Sequence, residues 1–81
     1  MKATNFAVEL GRQFAAELNG SPADAQDWNE MSDYSDIPDG DYKALVAHYG
    51  EDGVTREVER AYKRGFNEVF ASVKLAALET K

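Results

Sequence analysis

The chain has 81 residues, no cysteine, 43% hydrophobic and 11% aromatic residues, and a formal net charge of −6. That length gives one small domain over residues 1–81, and its apolar content is too high for a disordered chain. The absence of cysteine excludes disulfides, thiolate nucleophiles and cysteine metal sites. The acidic balance argues against direct binding of nucleic acid or anionic membrane, which needs surplus Lys and Arg.

The sequence predicts helices throughout. The first runs from about Asn5 to Leu18, with Thr4 as N-cap. Phe6, Ala7, Leu10, Phe14 and Leu18 share one face, and Asn5, Glu9, Arg12 and Gln13 lie opposite. Asn19-Gly20 is a stop, because both residues tolerate the left-handed conformation that closes a helix. Gly11 weakens the helix interior by up to about 1 kcal/mol, which suggests a close helix crossing there.

Ser21-Pro22-Ala23-Asp24 is a helix start, with Ser as cap, Pro in the first helical position and a carboxylate in the first turn. A short helix is expected from Pro22 to about Met31, anchored on the core by Trp28. Residues 33–41 read as a connector rich in Asp, Ser, Pro and Gly. A third helix should cover about Asp41 to Tyr49, with Tyr42, Leu45, Val46 and Tyr49 as its apolar stripe and Gly50 as its end.

The last helix is the longest. Thr55 caps it, and the pattern continues to about Leu78. Val58, Tyr62, Gly65, Phe66, Val69, Val73, Ala76 and Ala77 form the core-facing stripe. Phe70, beside the basic stripe of the same helix, is either a second core contact or an exposed anchor. The C-terminal half is expected to project or to pack against a second copy. No sustained alternation predicts a strand. The fold class is therefore all-α, a small helical domain of three to four helices with a long C-terminal helix.

Charge is concentrated in one segment. Asp24, Asp27, Glu30, Asp33, Asp36, Asp39 and Asp41 stand between residues 24 and 41 without one Lys or Arg, six of them on a strict period of three. The rest of the chain carries a net charge of +1. Period three would hold Asp24, Asp27 and Glu30 along one ridge of a helix, and the later carboxylates would extend it. Such a block is either a solvated face or an acidic surface that imitates a phosphate backbone. Trp28, Tyr34 and Tyr42 are the aromatic anchors expected beside it.

A basic stripe, Arg56, Arg60, Lys63, Lys74 and Lys81 with Arg64 at its margin, lies opposite the apolar face of the last helix. It reads as a solvated face, as an intramolecular partner for the acidic block, or as a phosphate-contacting strip. His48 stands near a helix C-terminus, where its charge is favoured, and reads as a cap and not a catalyst. The acids around Gly40 fail the EF-hand spacing, because Pro38 and Gly40 occupy ligand positions. No metal, cofactor or catalytic residue is expected. The tyrosines and the tryptophan read as core edges and not as a stacking platform for bases.

A short, cysteine-free, acidic helical chain resembles in kind, though by no motif, the small inhibitors that phages and mobile elements make against host nucleases. Those include anti-CRISPR and antirestriction proteins. The resemblance implies a non-enzymatic protein whose partner is a host nucleic-acid-binding protein or nuclease complex, and the absence of cysteine and of a long apolar run leads to the expectation of a cytoplasmic protein. The alternative is a structural or adaptor module, a homodimer formed by Phe70, Val73, Ala77 and Leu78 of the long helix. The N-terminus leads straight into the amphipathic pattern, so no leader and no membrane span are expected.

Overall fold

A computed structural model describes residues 3–79, apart from the side chains of Pro22, Ala77 and Glu79. Four α-helices follow one another: α1 (Asn5–Asn19), α2 (Pro22–Gln26), α3 (Asp39–Tyr49) and α4 (Arg56–Glu79), with a 3₁₀ turn at Glu51–Gly53 before α4. No strand occurs among the described residues.

The centre of the fold is the crossing of α1 and α4, and two glycines create it. A β-carbon on Gly11 would land on the carbonyl oxygen of Tyr62 and lie 2.8 Å from the Phe66 amide nitrogen. A β-carbon on Gly65 would land on the Val8 carbonyl oxygen. The two backbones therefore touch directly, each helix lending a glycine to the other's main chain. Around this contact Ala7, Ala15, Ala61, Tyr62 and Phe66 are buried. Phe66 also stacks on Phe70, with ring centroids 4.9 Å apart. Thr4 lines one cleft with Ala61, and Arg12 reaches Glu68, so the two helices run in the same sense.

Hydrogen bonds from a buried tyrosine fix α3 to the start of α1. The Tyr49 hydroxyl donates to the Ala3 carbonyl (2.9 Å) and accepts from the Ala7 N–H (3.3 Å). It serves α1 where a cap from Thr4 was expected, for the Thr4 hydroxyl makes no capping bond. Phe6 stacks flat on His48 at 4.0 Å, so that histidine packs as a ring at the end of α3. Gly50 then breaks the helix with φ of +84°, a conformation that disfavours any side chain.

Several boundaries differ from the sequence expectation. The helix expected over Pro22–Met31 ends at Gln26. Ser21 occupies its N-cap position without a side-chain cap bond, whereas Thr55 does cap α4 through the Val58 N–H (3.4 Å). Gly20 stays right-handed at φ −77°, because its N–H closes α1 by bonding back to Glu17 and the chain turns at once into α2. α3 begins two residues early, at Asp39. Tyr42 faces solvent instead of completing the α3 stripe, while Leu45 and Tyr49 are buried.

Phe70 and Val73 are both core residues, 1% and 4% exposed. This removes two of the four residues expected at a subunit interface. Ala77 lies outside the described side chains and Lys81 outside the described residues. Of that set Leu78 remains exposed, together with Leu75. The last turns of α4 extend the molecule to 43 × 20 × 18 Å.

The glycine crossing gives a sharp prediction. Gly65→Ala should destabilise the fold by about 3 kcal/mol or more, because rigid backbone, and no flexible side chain, stands in the way. Gly40→Ala, in the open first turn of α3, should instead stabilise by about 0.5 kcal/mol. Urea unfolding followed by circular dichroism measures both. Equal midpoints for the two variants would mean that the helices do not meet at Gly65.

Candidate acidic interaction surface

After α2 the chain runs as an extended strap along α4, in the opposite sense to the helix. Three side chains of α4 hold it, and they hold its backbone. Lys74 Nζ donates to the carbonyls of Gln26 (2.9 Å), Trp28 (2.9 Å) and Ala25 (3.4 Å). The Asn67 amide pairs with both backbone groups of Met31, accepting from its N–H and donating to its C=O, each at 2.8 Å. Lys63, only 8% exposed, donates to the Asp33 carbonyl at 3.0 Å. Arg60 adds an exposed ion pair with the Asp33 carboxylate at 3.2 Å.

This clamp explains why the expected helix stops. Lys74 and Lys63 are eleven residues apart on α4, a rise of about 16 Å. The strap covers that span from Trp28 to Asp33, about 17 Å if extended but about 7.5 Å if helical. An extended strap matches the spacing of the two lysines, and a helix would cover less than half of it. Trp28 supports it from inside, its ring 5.1 Å from Phe14 and 6.0 Å from Phe66, and Met31 is buried beside it.

The acidic residues accordingly do not form a helical ridge. Asp24 lies in the first turn of α2 and Asp27 is its C-cap. Glu30, Asp33 and Asp36 sit on the strap, and Asp39 and Asp41 occupy the first turn of α3. All are exposed except Asp41, which is half-buried. Asp41 accepts a short hydrogen bond from the hydroxyl of Tyr62. Burial, then that bond and the Asp41 charge, raise the Tyr62 pKa well above the ordinary tyrosine value. The Tyr62–Asp41 contact therefore joins the far end of the acidic segment to the core.

The three expected aromatic anchors separate. Trp28 is partly buried, its ring packed on Phe14 and Phe66 as a structural support of the strap. Tyr34 is 96% exposed and Tyr42 is 42% exposed. Tyr34 sits on a turn closed by two serines: Ser32 N–H donates to Ser35 Oγ (2.8 Å), Ser35 N–H to the Ser32 carbonyl (3.1 Å) and Tyr34 N–H to Ser32 Oγ (3.3 Å).

The basic stripe expected on α4 is thus divided: Lys63 and Lys74 turn to the strap, while Arg56, Arg60 and Arg64 stay exposed. Lys63 and Lys74 are engaged by carbonyls and are not available as a phosphate-contacting strip. Sequence reasoning missed Asn67 as a member of this set. Its one signal was a polar residue between Phe66 and Phe70, on the line joining Lys63 to Lys74. The strap and α4 enclose a shallow cleft of about 540 Å³, walled by Met31, Asp33, Lys63 and Asn67 among others. No known protein family, curated protein or solved structure matches this chain.

Two predictions follow the clamp and its anchor. Lys74→Met leaves three carbonyls without their shared donor. It should cost about 1–3 kcal/mol and deprotect the amides of residues 28–35 to hydrogen exchange while α1 stays protected. Unchanged exchange in the strap would show that the lysine does not hold it. The fold holds the Tyr62 phenol in its neutral form. That contribution is whole below the ordinary tyrosine pKa of about 10 and is lost as pH climbs above it. The denaturation midpoint of the wild type should therefore fall more steeply between pH 9.5 and 11.5, on the order of that window, than that of Tyr62→Phe. Parallel profiles would refute the link.

Proposed function

We propose that this chain is a non-enzymatic inhibitor that binds a nucleic-acid-binding host complex, its acidic surface taking the place of DNA phosphates. The observation that carries this reading is the clamp. The strap between residues 27 and 38 is gripped by its backbone, and the carboxylates of Asp24, Asp27, Glu30, Asp33, Asp36 and Asp39 are left exposed. Fixing like charges in one segment opposes their mutual repulsion, and such a preorganised field favours a basic groove. Tyr34, exposed on its serine turn, and Tyr42 supply the apolar contacts that carry affinity. Asp41 is tied to Tyr62, so it contributes field more than direct contact.

The host complex would be a nuclease of the kind that anti-CRISPR and antirestriction proteins oppose, and a phage or mobile element would be the natural source. Complementary charge would make association fast and salt-sensitive. Among the described residues no helix is long and apolar enough to cross a membrane.

A second reading, self-association through the end of α4, is favoured by Leu75 and Leu78, which are 59% and 52% exposed. In that case the charges confer solubility alone. Sedimentation at several concentrations separates the two readings.

The inhibitor reading is tested by affinity capture from a bacterial lysate at low and high salt. A nucleic-acid enzyme should be retained at low salt, released at high salt and displaced by a duplex oligonucleotide. Reversing Asp27, Glu30 and Asp36 to Lys, none of which holds the fold together, should weaken capture at least about a hundredfold. Its circular dichroism should match the wild type. Undiminished capture by the triple variant would refute the mimic.

A further inference from the structure

The face of the molecule at the amino-terminal ends of α1 and α4 has the opposite character from the strap. Arg56, Arg60 and Arg64 repeat every fourth residue along α4. With Thr4, Glu57 and Ala61 they wall a cleft of about 490 Å³. Three arginines and one acidic residue line it, in a molecule whose net charge is −6; one of the three, Arg60, is paired with Asp33, and Glu9 and Glu68 share a neighbouring cleft with Arg64.

Donors in this cleft exceed acceptors. Arg60 pairs with Asp33, but Arg56 and Arg64 are exposed and meet no acceptor among the described residues. Arg64 also borders the two neighbouring clefts, so its position commands the junction of all three. The Thr4 hydroxyl stands at the N-cap position of α1 without making the capping bond. The helices run in the same sense, so both positive dipole ends lie on this side of the molecule.

We propose that this cleft binds a phosphate group, as the free ion or as a small monoester, between Arg56 and Arg64 with the Thr4 hydroxyl as a further donor. Guanidinium forks match phosphate oxygens in pairs, and an anion answers the local surplus of positive charge. The volume suits a small organic phosphate. A long polyanion is disfavoured, because the acidic strap of the same molecule would repel it. This site is independent of the acidic surface and would survive failure of the inhibitor reading.

The test is an NMR titration of the ¹⁵N-labelled full chain with inorganic phosphate and with glycerol phosphate, at constant ionic strength made up with sodium chloride. Saturable shifts centred on Thr4, Asn5, Arg56 and Arg64 are expected. Arg64→Gln and Arg56→Gln should each weaken binding about tenfold, the loss of one charged hydrogen-bonding partner. Glu57→Gln should tighten it, which no merely structural role predicts. All three positions are exposed, and the dispersion of each variant's spectrum reports its fold. Tighter binding of the ester than of the free ion would assign the site to a monoester, and equal binding to phosphate alone. Shifts reproduced by chloride, or unchanged affinity in both arginine variants, would overturn the proposal.

Discussion

Direct contact between the backbones of α1 and α4 is the constraint on which the rest depends. A helix pair separated by ordinary side chains sits 8–10 Å apart, roughly. Here Gly11 and Gly65 remove that spacer, and the carbonyls of Tyr62 and Val8 fill the space where β-carbons would be. The close approach sets the depth at which Phe14, Tyr62 and Phe66 meet. In so short a chain it is how a small core reaches native packing density. It also sets α4 against α1, and α2 and the strap are positioned against α4.

The strap is the clearest case. Its own sequence has turn formers and acids but few apolar residues, and it could not order itself by burial alone. Order comes instead from Lys63, Asn67 and Lys74, which satisfy backbone groups of the strap in place of a neighbouring strand or helix. Because the clamp reads carbonyls and N–H groups, it leaves the acidic side chains outside. The clamp therefore separates two tasks. Lys63 and Lys74 hold the main chain and not the carboxylates, which stay exposed to solvent. Among the described residues Arg60 with Asp33 is the one ion pair between stripe and strap, and it is exposed and correspondingly weak.

Period three in the acids suggested a helical ridge, and the local signals at Ser21, Pro22 and Asp24 were genuine helix starters. They made a helix of five residues and no more. What ended it was not a breaker in the segment itself but the demand that Trp28, Met31 and Asp33 each reach a different turn of α4. Propensity in a short segment is worth tenths of a kcal/mol per residue, and a buried Met31 with a paired backbone and a lysine on three carbonyls outweigh it. Trp28 kept the core contact expected of it, and Tyr42 left its expected stripe for solvent, for a related reason. Both are amphipathic rings, and only the position of α4 decides which of them finds a core.

Taken alone, the sequence determined the helices with strong periodicity, α1 and above all α4, whose stripe from Val58 to Val73 faces the core as its spacing requires, and it placed α3 to within two residues at its start. It determined the concentration of charge between Asp24 and Asp41 and marked Gly11 as a site of close approach. Only the tertiary structure decided where α2 stops, that Phe70 and Val73 lie inside, and that Lys63 and Lys74 serve the strap's backbone. The physical reason is one of range. Periodicity and capping act within a few residues, whereas the pairing of Met31 with Asn67 joins positions 36 residues apart, and no local pattern encodes the distance that such a contact must span.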